Sequence, residues 1–112
     1  MLYLANTFTL GMLKNKEGTF KFRMISLEEA RELVNTQDFV SCVGHQATSI
    51  LMSQLLQKDV PFNRIQISCA PGDNILVCQL LVRLEEGKIL TIEELTKLYN
   101  DGKIAFYFLE VL

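Results

Sequence analysis

The chain holds a single histidine, His45, in the stretch Val43-Gly44-His45-Gln46-Ala47-Thr48. An apolar, strand-like run, Phe39–Val43, leads into it. An amphipathic helix follows, from about His45 to Leu56, with Ala47, Leu51 and Leu55 on one face and Met52 and Leu56 beside it. Gly44 lets the backbone turn tightly and approach a ligand. The first turn of a helix presents unpaired N–H groups and a partial positive charge, so it suits an anion. An imidazole beside a bound phosphate can act as general acid or base near neutral pH. The simpler alternative is a histidine that fills the helix start and bonds a neighbouring loop.

Other chemistry near His45 is less coherent. A multi-histidine metal site is excluded, because there is no second histidine. Cys42-x-x-His45 supplies half of a zinc site, but Cys69 and Cys78 sit in apolar runs and read as core thiols. A Cys42–His45 nucleophilic pair is a further option, although a strand and the turn beyond it need not bring the two side chains together. A better set is His45 with Asn6, Arg64, Gln79, Arg83 and Glu86. All lie at strand ends or strand-to-helix turns, where loops of α/β sheets build sites. Arginine forks bind phosphate oxygens in a bidentate way and stay charged. The plainer alternatives are surface arginines and a solvated Glu85-Glu86 pair.

The elements that must position these residues follow from pattern. Leu2–Ala5 reads as a buried strand and Thr9–Leu13 as one helical turn. Thr19–Met24 alternates, with Phe20 and Phe22 on one face and Lys21 and Arg23 on the other, as in a half-buried edge strand. Ser26 and Glu29 form a capping-box pattern for a helix to about Asn35, and Thr91 with Glu94 form another for a helix ending near Asp101-Gly102. Arg64–Cys69 alternates and predicts a strand. Pro71-Gly72-Asp73 predicts a tight turn that pairs it antiparallel with the long strand Asn74–Leu84. Gln79 is the one polar residue in the apolar core of that strand, so it needs a partner or a ligand. Ala105–Val111 is a final apolar strand. The expected fold is α/β: one domain over residues 1–112, with a mixed sheet of about five strands flanked by about three helices.

Composition bounds the function. Of 112 residues 49% are apolar, enough for a core without staples. Eleven basic and thirteen acidic side chains give a net charge of −2, with no basic block, which argues against binding long nucleic acid. Three cysteines without a C-x-x-C pair point to a reducing compartment, hence the cytoplasm. The first residues lack the pattern of a signal peptide, and no apolar run approaches ~18 residues, so no membrane span is expected.

Across its whole length the chain resembles the small viral and mobile-element ring nucleases that antagonise type III CRISPR immunity. The resemblance is carried by Leu2-Tyr3-Leu4-Ala5-Asn6, the Val43–Thr48 stretch, Pro61-Phe62-Asn63-Arg64-Ile65, Pro71-Gly72-Asp73, and Val82-Arg83-Leu84-Glu85-Glu86-Gly87-Lys88, in that order and spacing. It implies a homodimer that binds cyclic tetra-adenylate and cleaves it, without metal or other cofactor, to linear di-adenylates. It also implies that His45 is the catalytic acid, that Arg83 and Glu86 assist it, and that Asn6, Thr9, Arg64 and Gln79 contact the ligand. One position departs from the pattern: Gly11 stands where relatives often carry a polar side chain. The rival readings are a protein that binds such a ring without cutting it, and a protein-interaction module of the same fold.

Overall fold

The sequence pattern becomes structure in the order β1 (Leu2–Ala5), β2 (Phe20–Ile25), α1 (Leu27–Thr36), β3 (Phe39–Ser41), α2 (Gln46–Leu56), β4 (Asn74–Leu80), α3 (Ile92–Asn100) and β5 (Ile104–Val111). These elements are those of a computed structural model, which describes residues 1–84 and 87–112. A short 3-10 turn, Leu10–Met12, lies between β1 and β2. The five strands form one mixed sheet in the order β2-β5-β4-β1-β3. β1 runs parallel to both β3 and β4, with Leu4 opposite Ser41 and Leu76. β5 runs antiparallel to β4 and β2. The α/β class, the single domain, the five-strand mixed sheet and the three helices are as the sequence implies.

All three helices lie on one face of the sheet. Ala30 and Val34 of α1, Leu51, Met52 and Leu56 of α2, and Leu95 of α3 pack with Leu2, Leu4, Leu76, Cys78, Phe106 and Phe108 of the strands. Parallel pairs need crossovers, and α1 and α2 supply them for β1, β3 and β4. The other face buries Ile75, Val77 and Leu109 beneath Met12, Leu13, Ile67 and Cys69. That cover is incomplete. Phe8, Phe20, Phe22, Leu81, Tyr107 and Leu109 border an apolar groove of about 380 Å³.

Four local expectations need correction. Arg64–Cys69 is not a strand. β4 has β1 on one edge and β5 on the other, so no edge remains for it. The segment instead lies past the end of β3. There the Asn63 N–H donates to the Val43 carbonyl at 2.9 Å and the Asn63 Nδ2 donates to the Ser41 carbonyl at 2.7 Å. Cys69 makes only a single parallel bridge, to Leu13. Ile67 and Cys69 still bury their side chains, whereas Ile65 does not. β4 ends at Leu80, short of Leu84. Phe22 does share a face with Phe20, but it is 62% exposed on the groove. At α1 the Ser26 hydroxyl caps the Glu29 N–H, yet the Glu29 carboxylate turns away and accepts from Arg23 Nη1 at 2.9 Å. Thr91 and Glu94 form the full reciprocal box at α3.

Leu76 is fully buried on the helix-covered face of the sheet. Leu76→Ala should cost about 2–5 kcal/mol of folding stability, by lost transfer energy and a cavity. Thr91→Ala removes one cap and should cost about 1 kcal/mol. Urea denaturation of the two variants beside the parent checks both the size and the order.

Candidate functional site

Because β1, β3 and β4 are parallel, their carboxyl ends open on the same side of the sheet. Asn6 follows β1, Val43-Gly44-His45 follows β3, and Gln79 stands at the end of β4. Sites of open α/β sheets form at such ends. Here Asn6, His45, Thr48, Gln79 and Lys88 line a cavity of about 410 Å³, with Cys78 and Leu51 toward its apolar wall.

His45 is the N-cap of α2, in extended backbone geometry. Its Nδ1 accepts the Thr48 backbone N–H at 3.3 Å and lies 2.9 Å from the Thr48 hydroxyl oxygen. Caps are usually Ser, Thr, Asp or Asn, because a short side chain reaches the N3 N–H most easily. Histidine does the same here through its near nitrogen, which leaves Nε2 without a hydrogen bond among the described residues. The turn before it is fixed by Asn6, whose Oδ1 accepts the Gly44 N–H at 3.0 Å.

Gly44 permits a close approach, though to a side chain of the protein itself. A Cβ at this position would lie 3.1 Å from Cγ of Arg64. The arginine stem therefore crosses the strand-to-helix turn. Arg64 is exposed and borders an adjoining hollow of about 360 Å³ that Asn6 and Thr7 share with the His45 cavity. Gln79 finds a local partner, with its Nε2 donating to the Leu80 carbonyl at 3.0 Å. It borders both the His45 cavity and the apolar groove.

The structure thus gathers Asn6, His45 and Gln79 at one cavity, with Arg64 at its neighbour. Arg83 is exposed; Val82 and Leu84 on either side of it line the cavity. Thr9 is the exposed N-cap of the 3-10 turn and does not line the cavity. Glu86 lies outside the described residues. Sequence reasoning missed Thr48, Lys88 and Cys78 as lining residues. The signal for Thr48 was present, since the third residue of a helix is where a cap bonds. Lys88 Nζ also meets Glu94 Oε2 at 3.3 Å. The Glu94 carboxyl is held below its ordinary range by the Thr91 N–H and, next, by Lys88.

The cysteines are not poised as nucleophiles. Cys42 Sγ donates to the Leu4 carbonyl at 3.1 Å rather than meeting His45. Burial pushes the Cys42 thiol from 9.0 up to about 11, with Cys69 adding to it. Cys69 rises to about 11 by burial and the charge of Asp73, and Cys78 to about 12 by burial. Among the described residues no group of three or more His, Cys, Asp or Glu could hold a metal ion. No helix among them is long and apolar enough to cross a membrane.

Fold and cavity define a two-layer α/β domain with a cavity at the carboxyl ends of its parallel strands. The chain belongs to the STIV B116-like family, whose profile matches residues 2–108. It is similar to protein 26 of Sulfolobus islandicus filamentous virus (isolate Iceland/Hveragerdi), 41% identical over 102 residues, 89% of this chain and 86% of that one. ORF116 of Acidianus filamentous virus 1 (isolate United States/Yellowstone) is 34% identical over 97% of this chain and 94% of its own. The solved structure of B116 of Sulfolobus turreted icosahedral virus superposes with a TM-score of 0.78 at 28% identity, covering 97% of each chain. These relatives are proteins of archaeal viruses.

The raised thiols carry a sign for stability. Each binds its proton more tightly folded than unfolded, so its contribution is intact below 9.0 and is lost as pH rises toward about 11. Urea denaturation at about pH 8 and about pH 10.5 should show the fall. At about pH 8 a thiol reagent should label the folded protein more than ~100-fold slower than the denatured chain, because buried thiols are neutral and inert.

Proposed function

We propose that this protein is a metal-independent ring nuclease that binds cyclic tetra-adenylate and cleaves it to linear di-adenylates. In an infected cell it would work in the host cytoplasm as an anti-CRISPR, removing the second messenger of type III CRISPR immunity. The observation that carries this reading is the placing of His45. Its near nitrogen is tied to the start of α2, and its ring borders a cavity shared with Asn6 and Gln79. The sequence resemblance supplies the ligand class and the reaction.

The chemistry asks little of the protein. An RNA phosphodiester carries its own nucleophile, the ribose 2′-hydroxyl, which must be held in line with the leaving 5′-oxygen. The O2′–P bond forms and the P–O5′ bond breaks. The 2′-hydroxyl proton passes to water, and His45, protonated, gives its Nε2 proton to the 5′-oxygen. Products carry a 2′,3′-cyclic phosphate and a 5′-hydroxyl. Arg64 and Lys88 bring positive charge to the cavity and its neighbour, where it would meet phosphoryl oxygens. By the resemblance Arg83 and Glu86 assist His45, while Asn6, Thr9 and Gln79 contact the ring.

A homodimer suits both ligand and surface. A cavity of about 410 Å³ lies at the small end for ligand pockets, too small for a four-nucleotide ring. A twofold pair would offer two, one His45 for each of two opposite phosphodiesters. The groove of Phe20, Phe22, Leu81 and Tyr107 offers the apolar surface for pairing, and Gln79 links it to the cavity.

The test incubates the protein with labelled cyclic tetra-adenylate in excess EDTA, beside His45→Asn, which keeps a capping side chain. Di-adenylates should appear at full rate in EDTA for the parent, and at least ~100-fold more slowly for the variant. Undiminished cleavage by His45→Asn would remove the histidine from the chemistry. Ligand bound but uncut by the parent would make the protein a sink, and absence of both would leave a protein-interaction module. Phe22→Asp should give a folded monomer by light scattering that cleaves poorly. A dimer that survives this change pairs through another surface.

A further inference from the structure

Nδ1 of His45 meets two groups of one residue. The Thr48 backbone N–H donates to it at 3.3 Å, and the Thr48 hydroxyl oxygen lies 2.9 Å away. The two are not equivalent. A backbone N–H only donates, so it suits Nδ1 only while that nitrogen carries no proton. The neutral ring is then the Nε2–H tautomer. A hydroxyl can rotate to donate or to accept. It donates to bare Nδ1 in the neutral ring, and it accepts from Nδ1–H once the ring is charged.

We propose that Thr48 is a positioning residue for His45, its hydroxyl exchanging donor for acceptor so that the ring stays seated at the start of α2 in both protonation states. This inference rests on the acid role assigned to His45 above. When Nε2 gives its proton to the departing 5′-oxygen, the N–H bond breaks, the O–H bond forms, and the ring's remaining proton sits on Nδ1. The Thr48 N–H opposes that proton. The Thr48 hydroxyl is the group beside it that can accept. Without the hydroxyl the ring would have to swing off the helix start to act as an acid, losing its aim at the cavity.

The surroundings make this partner matter. The positive end of α2 opposes an imidazolium. Arg64, whose stem lies on Gly44, and Lys88, which lines the cavity and pairs with Glu94, are the cations nearby. Cys78 lines the same cavity as a neutral thiol. Thr48 is buried, so water is a poor substitute for its hydroxyl. A bond from a charged donor is stronger than the neutral one it replaces, so the exchange favours the charged ring.

With one histidine in the chain, ring nitrogen-15 spectra report His45 without overlap. The parent's neutral ring should be the Nε2–H tautomer; finding Nδ1–H overturns the inference with no variant needed. Thr48→Val keeps the shape and deletes the hydroxyl. At one mildly acidic pH it should lower the ratio of doubly protonated to neutral ring roughly fivefold, and Thr48→Ser should restore it. With cyclic tetra-adenylate, Thr48→Val should lower kcat several-fold at nearly constant KM, and Thr48→Ser should recover it. Should Thr48→Val fail to fold, Thr48→Ala carries the same expectation. Ring spectra unchanged by loss of the hydroxyl overturn the proposal. Ring spectra that respond as expected in a protein that cuts no ring uphold the hydroxyl exchange and overturn the nuclease reading instead.

Discussion

The rest of the structure depends on the double pairing of β4. One edge carries parallel β1 and the other antiparallel β5, so β4 is the seam between the two halves of the sheet. Its residues 75–78 are buried on both faces, as a central strand with cover above and below requires. Parallel pairing on one side sends the ends of β1, β3 and β4 to a common edge. That edge is where Asn6, His45 and Gln79 meet. Had β4 paired with a strand made from residues 64–69, the hairpin would have displaced β1 or β5 and scattered these residues.

The segment that did not become a strand has a different use. Residues 61–66 fold back over the end of β3, held by Asn63 bonds to Val43 and Ser41 and by the Ser41 hydroxyl donating to the Pro61 carbonyl at 2.6 Å. This brings Arg64 across Gly44. A side chain larger than hydrogen at position 44 would press on the arginine stem. Gly44 thus ties the cation to the turn that presents His45, and the Asn6 side chain locks the same turn from β1. Three stretches far apart in the chain are joined by few bonds at one corner of the sheet.

Much of this was legible in residues and spacing. The capped helices, the buried strands and the turn at His45 follow from period and capping chemistry, which are local. The failed strand shows where local reading stops. Alternation at Ile65, Ile67 and Cys69 reports which side chains are buried, and two of the three are. It does not report whether a strand edge is vacant, because that depends on β1 and β5. The site was legible in the same measure. His45, Asn6 and Gln79 stand at ends that pattern can locate. A cap at His45 points to the Thr48 N–H, but the Thr48 hydroxyl contact is between side chains and has no pattern of its own, and Lys88 escaped because residues 81–84 leave the sheet earlier than the apolar run suggests. Arg83 stands in that irregular stretch, where strand alternation no longer says which way a side chain faces.

The end of β4 carries the last consequence. Leu76 and Cys78 face the helices, while Ile75 and Val77 face the other way. Period two then places Gln79 and Leu81 on the side of the groove, although Cys78, Gln79 and Leu80 also line the His45 cavity. One strand end therefore serves two surfaces, with Gln79 on both. An object seated on the groove would press on Gln79, the one residue that lines both. If a second copy is that object, pairing and ligand binding act on one rigid strand and need no moving part between them. On the proposed reading, a small net-acidic domain gathers the charge for its polyanion by doubling a few local cations, with no basic block in its sequence.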